Sequence, residues 1–140
     1  MILTSGIIGL CAGIILLFLS HLAPRWGFDM EVKDVDQARF GSRLFSRRES
    51  HLFGVIIHLL LDFCFGILFG ALVYYGMLAM DLASMAIYVM LITLFMGGVI
   101  IPLEGHGLFG WHEDHWFIAD LLVTNTVWMF LFGMIASVLL

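Results

Sequence analysis

His58 and Asp62 are the residues of this sequence best placed to do chemistry. They stand four apart within the apolar run 51–80, HLFGVIIHLLLDFCFGILFGALVYYGMLAM. In a helix that spacing puts both side chains on one face, and an imidazole beside a carboxylate is what a bound cation or a relayed proton uses. Counted from a helix start near Glu49, Asp62 lies roughly 15 Å past a membrane boundary near Leu52, where a charged acid costs at least ~2.5 kcal/mol. Residues so expensive face protein or water, and they mark functional sites by default.

A second polar cluster stands in LEGHGLFGWHEDHWFIAD, which holds Glu104, His106, His112, Glu113, Asp114, His115 and Asp120. Three glycines, Gly105, Gly107 and Gly110, let this stretch fold back, and Trp111 and Trp116 suit a membrane interface. Together the two clusters suggest a metal site built from His58, Asp62, Glu104, His106, His112, His115 and Asp120. Zn, Fe, Mn or Cu would suit such donors between the helices of a bundle. No HExxH and no paired ExxH helices accompany them. Plainer readings stand beside this one. The 112–115 run reads equally as a solvated loop, the His58 and Asp62 pair as an interhelical hydrogen bond, and Thr124 and Asn125 as interhelical contacts. A proton relay would use the same residues, but beyond Asp62 the run offers only Tyr74 and Tyr75. A haem between two histidines is a weaker alternative, because no CxxCH is present. No catalytic residue is assigned.

The elements that position these residues are read from hydropathy. The chain is 62% hydrophobic and 12% charged with mean hydropathy +1.07, which excludes an ordinary soluble domain. Four apolar segments, 2–22, 52–80, 82–102 and 116–140, each approach or exceed the ~20 residues that span a bilayer. The expected fold is an all-α, polytopic four-helix membrane bundle in a single domain. The first segment lacks a charged leader and is expected to be a retained helix rather than a signal peptide. All six Lys and Arg residues lie in the 23–50 loop, which the positive-inside rule makes cytoplasmic in the cell (inner) membrane, leaving both termini outside. That loop mixes its cations with acids, so nucleic acid is not an expected partner. Residues 28–45 read equally as an interfacial amphipathic helix or an irregular loop. Ser46 to Glu49 form a capping box for the second helix, and Asp81 or Ser84 would cap the third. Cys11 and Cys64 are read as small membrane-embedded hydrophobes.

Small residues recur at helical spacing. Gly9 and Gly13 in the first segment, Gly66 and Gly70 in the second, and Gly97 in the third are expected to pack helices closely, and the first two pairs to support a homo-oligomer. Within the second segment, His58 and Asp62 lie on the same slowly drifting stripe as Gly66 and Gly70.

The run RFGSRLFSRRESHLFGVIIHLLLDFCFGILFGAL, with a third segment after it ending near a GLFG element, resembles uncharacterised small four-helix membrane protein families of bacteria and archaea. The resemblance covers about residues 40–116 and implies architecture only. Asp62 and the HEDH run are not part of the shared pattern. The functional expectation is therefore a small membrane protein with a His/carboxylate metal site on the cytoplasmic side, in a redox, transport or structural role. The alternative is a non-catalytic accessory subunit of a larger membrane complex.

Overall fold

The computed structural model describes residues 1–22, 47–103, 105–111 and 116–140. The 28–45 segment and Ser46 of the expected capping box lie outside these residues. The described chain is all-α, with four helices long and apolar enough to cross a membrane.

Helix α1 is Ile2–Leu22 and α2 is Arg47–Tyr74. The second helix ends six residues before the expected boundary at 80. Gly76 takes φ +70°, the Met77 amide donates to Leu72 O at 2.9 Å, and the Gly76 amide donates to Val73 O at 3.0 Å. That is a Schellman ending, which the apolar character of residues 77–80 conceals in the sequence. Asp81 then caps α3, Leu82–Phe95, accepting the Ser84 amide at 2.7 Å, while Ser84 Oγ accepts the Ala79 amide at 3.1 Å. Of the two candidate caps, Asp81 and Ser84, the cap is Asp81. Beyond Phe95 the helix widens into a π turn, Met96–Ile100, and closes with one α turn, Ile101–Leu103. Pro102 has no amide to donate, and its ring displaces the carbonyl four residues back, at Gly98 inside the widened turn. Helix α4 is Phe117–Leu139.

Helices α1 and α2 touch backbone to backbone. A methyl group in place of the Gly66 hydrogen would lie 3.1 Å from the Cα atoms of Gly6 and Gly9, and one at Gly9 would run into Asp62 O and the Gly66 backbone. Gly70 receives the side chain of Ser5 in the same way. The two glycine pairs expected to join separate chains thus close on each other within one chain, and an oligomer would need another face. Helix α4 packs on α1 and α3. Its Trp128 indole donates to Gly9 O at 3.1 Å, and its Asn125 amide donates to Thr93 Oγ1 on α3 at 2.9 Å. The Tyr88 hydroxyl of α3 donates to Phe65 O of α2 at 2.6 Å. At the centre, the ring of Phe69 lies 5.0 Å from that of Tyr88 and 5.4 Å from that of Phe132. Each such ring pair adds about 0.5–1.5 kcal/mol beyond its buried area.

The segment after α3 folds back over this end of the bundle. Gly105, Gly107 and Gly110 all have positive φ, and Phe109 joins them at φ 51°. An aromatic residue in the left-handed region is an outlier that its surroundings must hold in place. The hold here is Gly97, since a methyl there would collide with the Phe109 ring. Gly97, expected to receive a helix, receives a loop side chain instead.

The close contacts set the response to substitution. Gly9→Val should lower unfolding stability by about 1–3 kcal/mol through overpacking, measured by denaturation in micelles, whereas Gly98→Ala, with no neighbour for its methyl within 4 Å, should leave it unchanged. Asp81→Ala should destabilise the protein near neutral pH. The Ser84 amide holds the Asp81 carboxyl below the usual carboxylate range, so its contribution is complete above that range and is lost as pH falls through the lowered value. The two proteins should therefore converge in stability in strong acid.

Candidate functional site

The stripe carrying His58 and Asp62 faces α1, because the same stripe carries Gly66 and Gly70. His58 is half-buried, with Nδ1 2.9 Å from Gly54 O, one turn back along its own helix. A carbonyl can only accept, so Nδ1 carries the proton, and in the neutral ring Nε2 carries the lone pair. Asp62 is likewise half-buried, and its carboxyl sits on Gly13 of α1. Any side chain at position 13 would occupy the space of Asp62 Oδ2. The His58 imidazole stands one turn back on the same helix, and no hydrogen-bond donor among the described residues reaches the Asp62 carboxyl group. The small residue on one helix thus makes the seat for the acid on the other.

Of the seven residues expected to bind a metal, four are described, and among these the structure brings only His58 and Asp62 together. His106 is buried, but in the fold-back loop, where its ring stacks on Phe117 at 6.4 Å and its amide donates to Ile101 O at 3.2 Å. Asp120 is exposed in the first turn of α4, where a carboxylate complements the positive end of the helix dipole. Glu104, His112 and His115 lie outside the described residues, as do Glu113 and Asp114. Among the described residues, no three His, Cys, Asp or Glu side chains gather closely enough to hold an ion.

Sequence reasoning misses Trp128, whose indole reaches α1 across 119 positions of chain. It also passes over Tyr88, the buried hydroxyl that ties α3 to α2. A lone Trp or Tyr inside an apolar span carries no periodic signal, although the need of each buried polar tip for a partner is a usable clue. Asn125 behaves as expected of an interhelical contact. No protein-family model, no curated protein and no solved structure matches the chain.

The Asn125 and Thr93 contact is open to a double-mutant cycle. Asn125→Leu and Thr93→Val should show a coupling of about 0.6 kcal/mol, with ~1.7 kcal/mol as the ceiling, in detergent unfolding. Substituting Leu94 for Thr93 in the cycle, on the exposed side of α3, should give no coupling with Asn125.

Proposed function

We propose that this protein is a small integral membrane protein whose working unit is the His58 and Asp62 pair, a site within the membrane that takes up and releases a proton. One observation carries the reading: the only carboxyl group seated between two spanning helices lies on Gly13, among the described residues, with an imidazole one turn away. A proton needs no cage. The tight seat at Gly13 leaves little space for the several ligands that a metal ion requires, whereas protonation changes the charge of Asp62 without changing its volume. Because the acid lies in the α1–α2 contact, its charge state bears directly on how those helices pack. The cationic 23–50 loop supports an orientation with that loop cytoplasmic, in a cell membrane, and both termini outside.

A second reading has its own support. The His58 Nδ1 contact with a backbone carbonyl is the arrangement that orients a histidine for metal binding through Nε2. In that reading His58 and Asp62 supply two donors to Zn, Fe, Mn or Cu, and the 104–115 stretch supplies the others.

Infrared difference spectra of the protein in lipid, recorded across a pH titration, separate the two. A protonated carboxyl band that titrates in the wild type, disappears in Asp62→Asn and shifts its midpoint in His58→Ala is the expected result. Elemental analysis of tag-free protein runs alongside. A stoichiometric metal lost in both variants would favour the metal site. Neither a titrating band nor a metal would leave the chain as a packing subunit of a larger membrane complex.

A further inference from the structure

The stretch after the third span inverts the polarity of an ordinary loop. Leu103, Leu108 and Trp111 are 61%, 58% and 86% exposed, while His106, the polar side chain described among them, is 1% exposed. A loop bathed in water turns its polar groups outward, and an apolar patch left exposed marks a surface with a partner. We propose that residues 105–111 form a re-entrant turn immersed in the bilayer, at the boundary of acyl chains and headgroups, with Leu108 and Trp111 in contact with lipid.

The seat of Phe109 sets the depth. Its ring occupies the place that a methyl at Gly97 would take. Gly97 precedes Leu103 on the third span and lies roughly 9 Å short of its end, at ~1.5 Å per residue. That span, Leu82–Leu103, has 22 residues and a length of about 33 Å, against a hydrocarbon core of ~30 Å. A side chain packed on Gly97 therefore lies alongside the span and within its depth. The Leu108–Gly110 turn accordingly packs on the π turn and the last α turn of this span, and on α4.

Irregular backbone is stable at such a depth where protein satisfies its polar groups. The Gly105 amide donates to Pro102 O at 3.1 Å and the His106 amide to Ile101 O at 3.2 Å, while the Gly110 and Trp111 amides donate to Gly107 O and Leu108 O, each at 3.1 Å. The His106 ring stacks on Phe117 at the start of α4, and a methyl on Gly110 would meet the same ring. Polar groups thus turn toward the bundle and apolar side chains away from it.

The flanks select lipid as the partner. Leu103 ends one span and Ile118 stands in the first turn of the next, and both are exposed, so the patch joins the surfaces that the two spans present to acyl chains. Trp111 adds an apolar ring with a single N–H, the combination that settles where acyl chains meet headgroups. The inference requires that the spans lie in a bilayer and is independent of the chemistry at Asp62.

The test is electron paramagnetic resonance on the full chain in phosphatidylcholine vesicles, with Cys11 and Cys64 replaced by alanine and a nitroxide attached at Leu108→Cys. Collisions with oxygen report lipid, and collisions with a neutral nickel chelate report water. Leu94→Cys, exposed in mid-span, supplies the lipid reference, and a free nitroxide in buffer the water reference. The oxygen-to-chelate ratio at position 108 should exceed that of the free label by about fivefold or more and stay below that of position 94. Trp111→Cys reports the same surface should Leu108→Cys not fold. A ratio equal to that of the free label would put the turn in water and overturn the proposal. So would a folded variant whose label meets neither reagent, since protein would then cover the patch.

Discussion

The structure depends on the backbone of α1 lying directly on the backbone of α2. Inside a bilayer, apolar side chains gain little by leaving lipid for protein, so helices associate through close packing and through polar contacts that lipid cannot supply. Gly9 gathers both in one residue. Its missing side chain admits Asp62 O and Gly66, and its carbonyl accepts the Trp128 indole from α4. Three of the four helices therefore meet at one position. The fourth is attached through hydrogen bonds, from Tyr88 to Phe65 O and from Asn125 to Thr93.

The same contact explains how a carboxylic acid is tolerated in the second span. One helical turn beyond Gly9, Gly13 opens a seat for Asp62, so the acid is placed by the rule that brings the helices together. The hydroxyls of Ser20, Thr126 and Ser137 are each satisfied on their own helix, Ser20 donating to Leu17 O at 2.8 Å. Asp62 differs from them: it has a seat and an imidazole one turn away but no hydrogen-bond donor among the described residues. This contrast separates it from ordinary structural polarity.

Much of this architecture is legible in the residues. The four spans come from apolar run length, the cap of α3 as one of two candidates, Asp81 or Ser84, and the shared face of His58, Asp62, Gly66 and Gly70 from spacing alone. What glycine stripes touch is not legible, because a stripe looks the same whether its partner is another helix of the chain or another chain. The placement of the polar loop is not legible for a different reason. His106 and Asp120 are close in sequence to the other donors, but the positive φ of Phe109 and its glycines directs the backbone. No side-chain pattern announces an aromatic residue in that conformation. Long-range contacts such as Trp128 to Gly9 depend on the packed bundle and have no local sign.

The π turn of the third span has a consequence for register. Thr93 and Ile101 are both buried, yet they are eight residues apart, which on an α-helix leaves them about 80° out of phase. Counting one residue of the π turn as an extra, seven α-helical steps leave them only about 20° apart. The widened turn thus has the geometry of a single inserted residue absorbed without rotating the helix on its far side. A chain lacking one of Gly97 or Gly98 would keep the inward faces on both sides of the turn aligned, so this span is a place where related sequences can differ in length by one while keeping the same bundle.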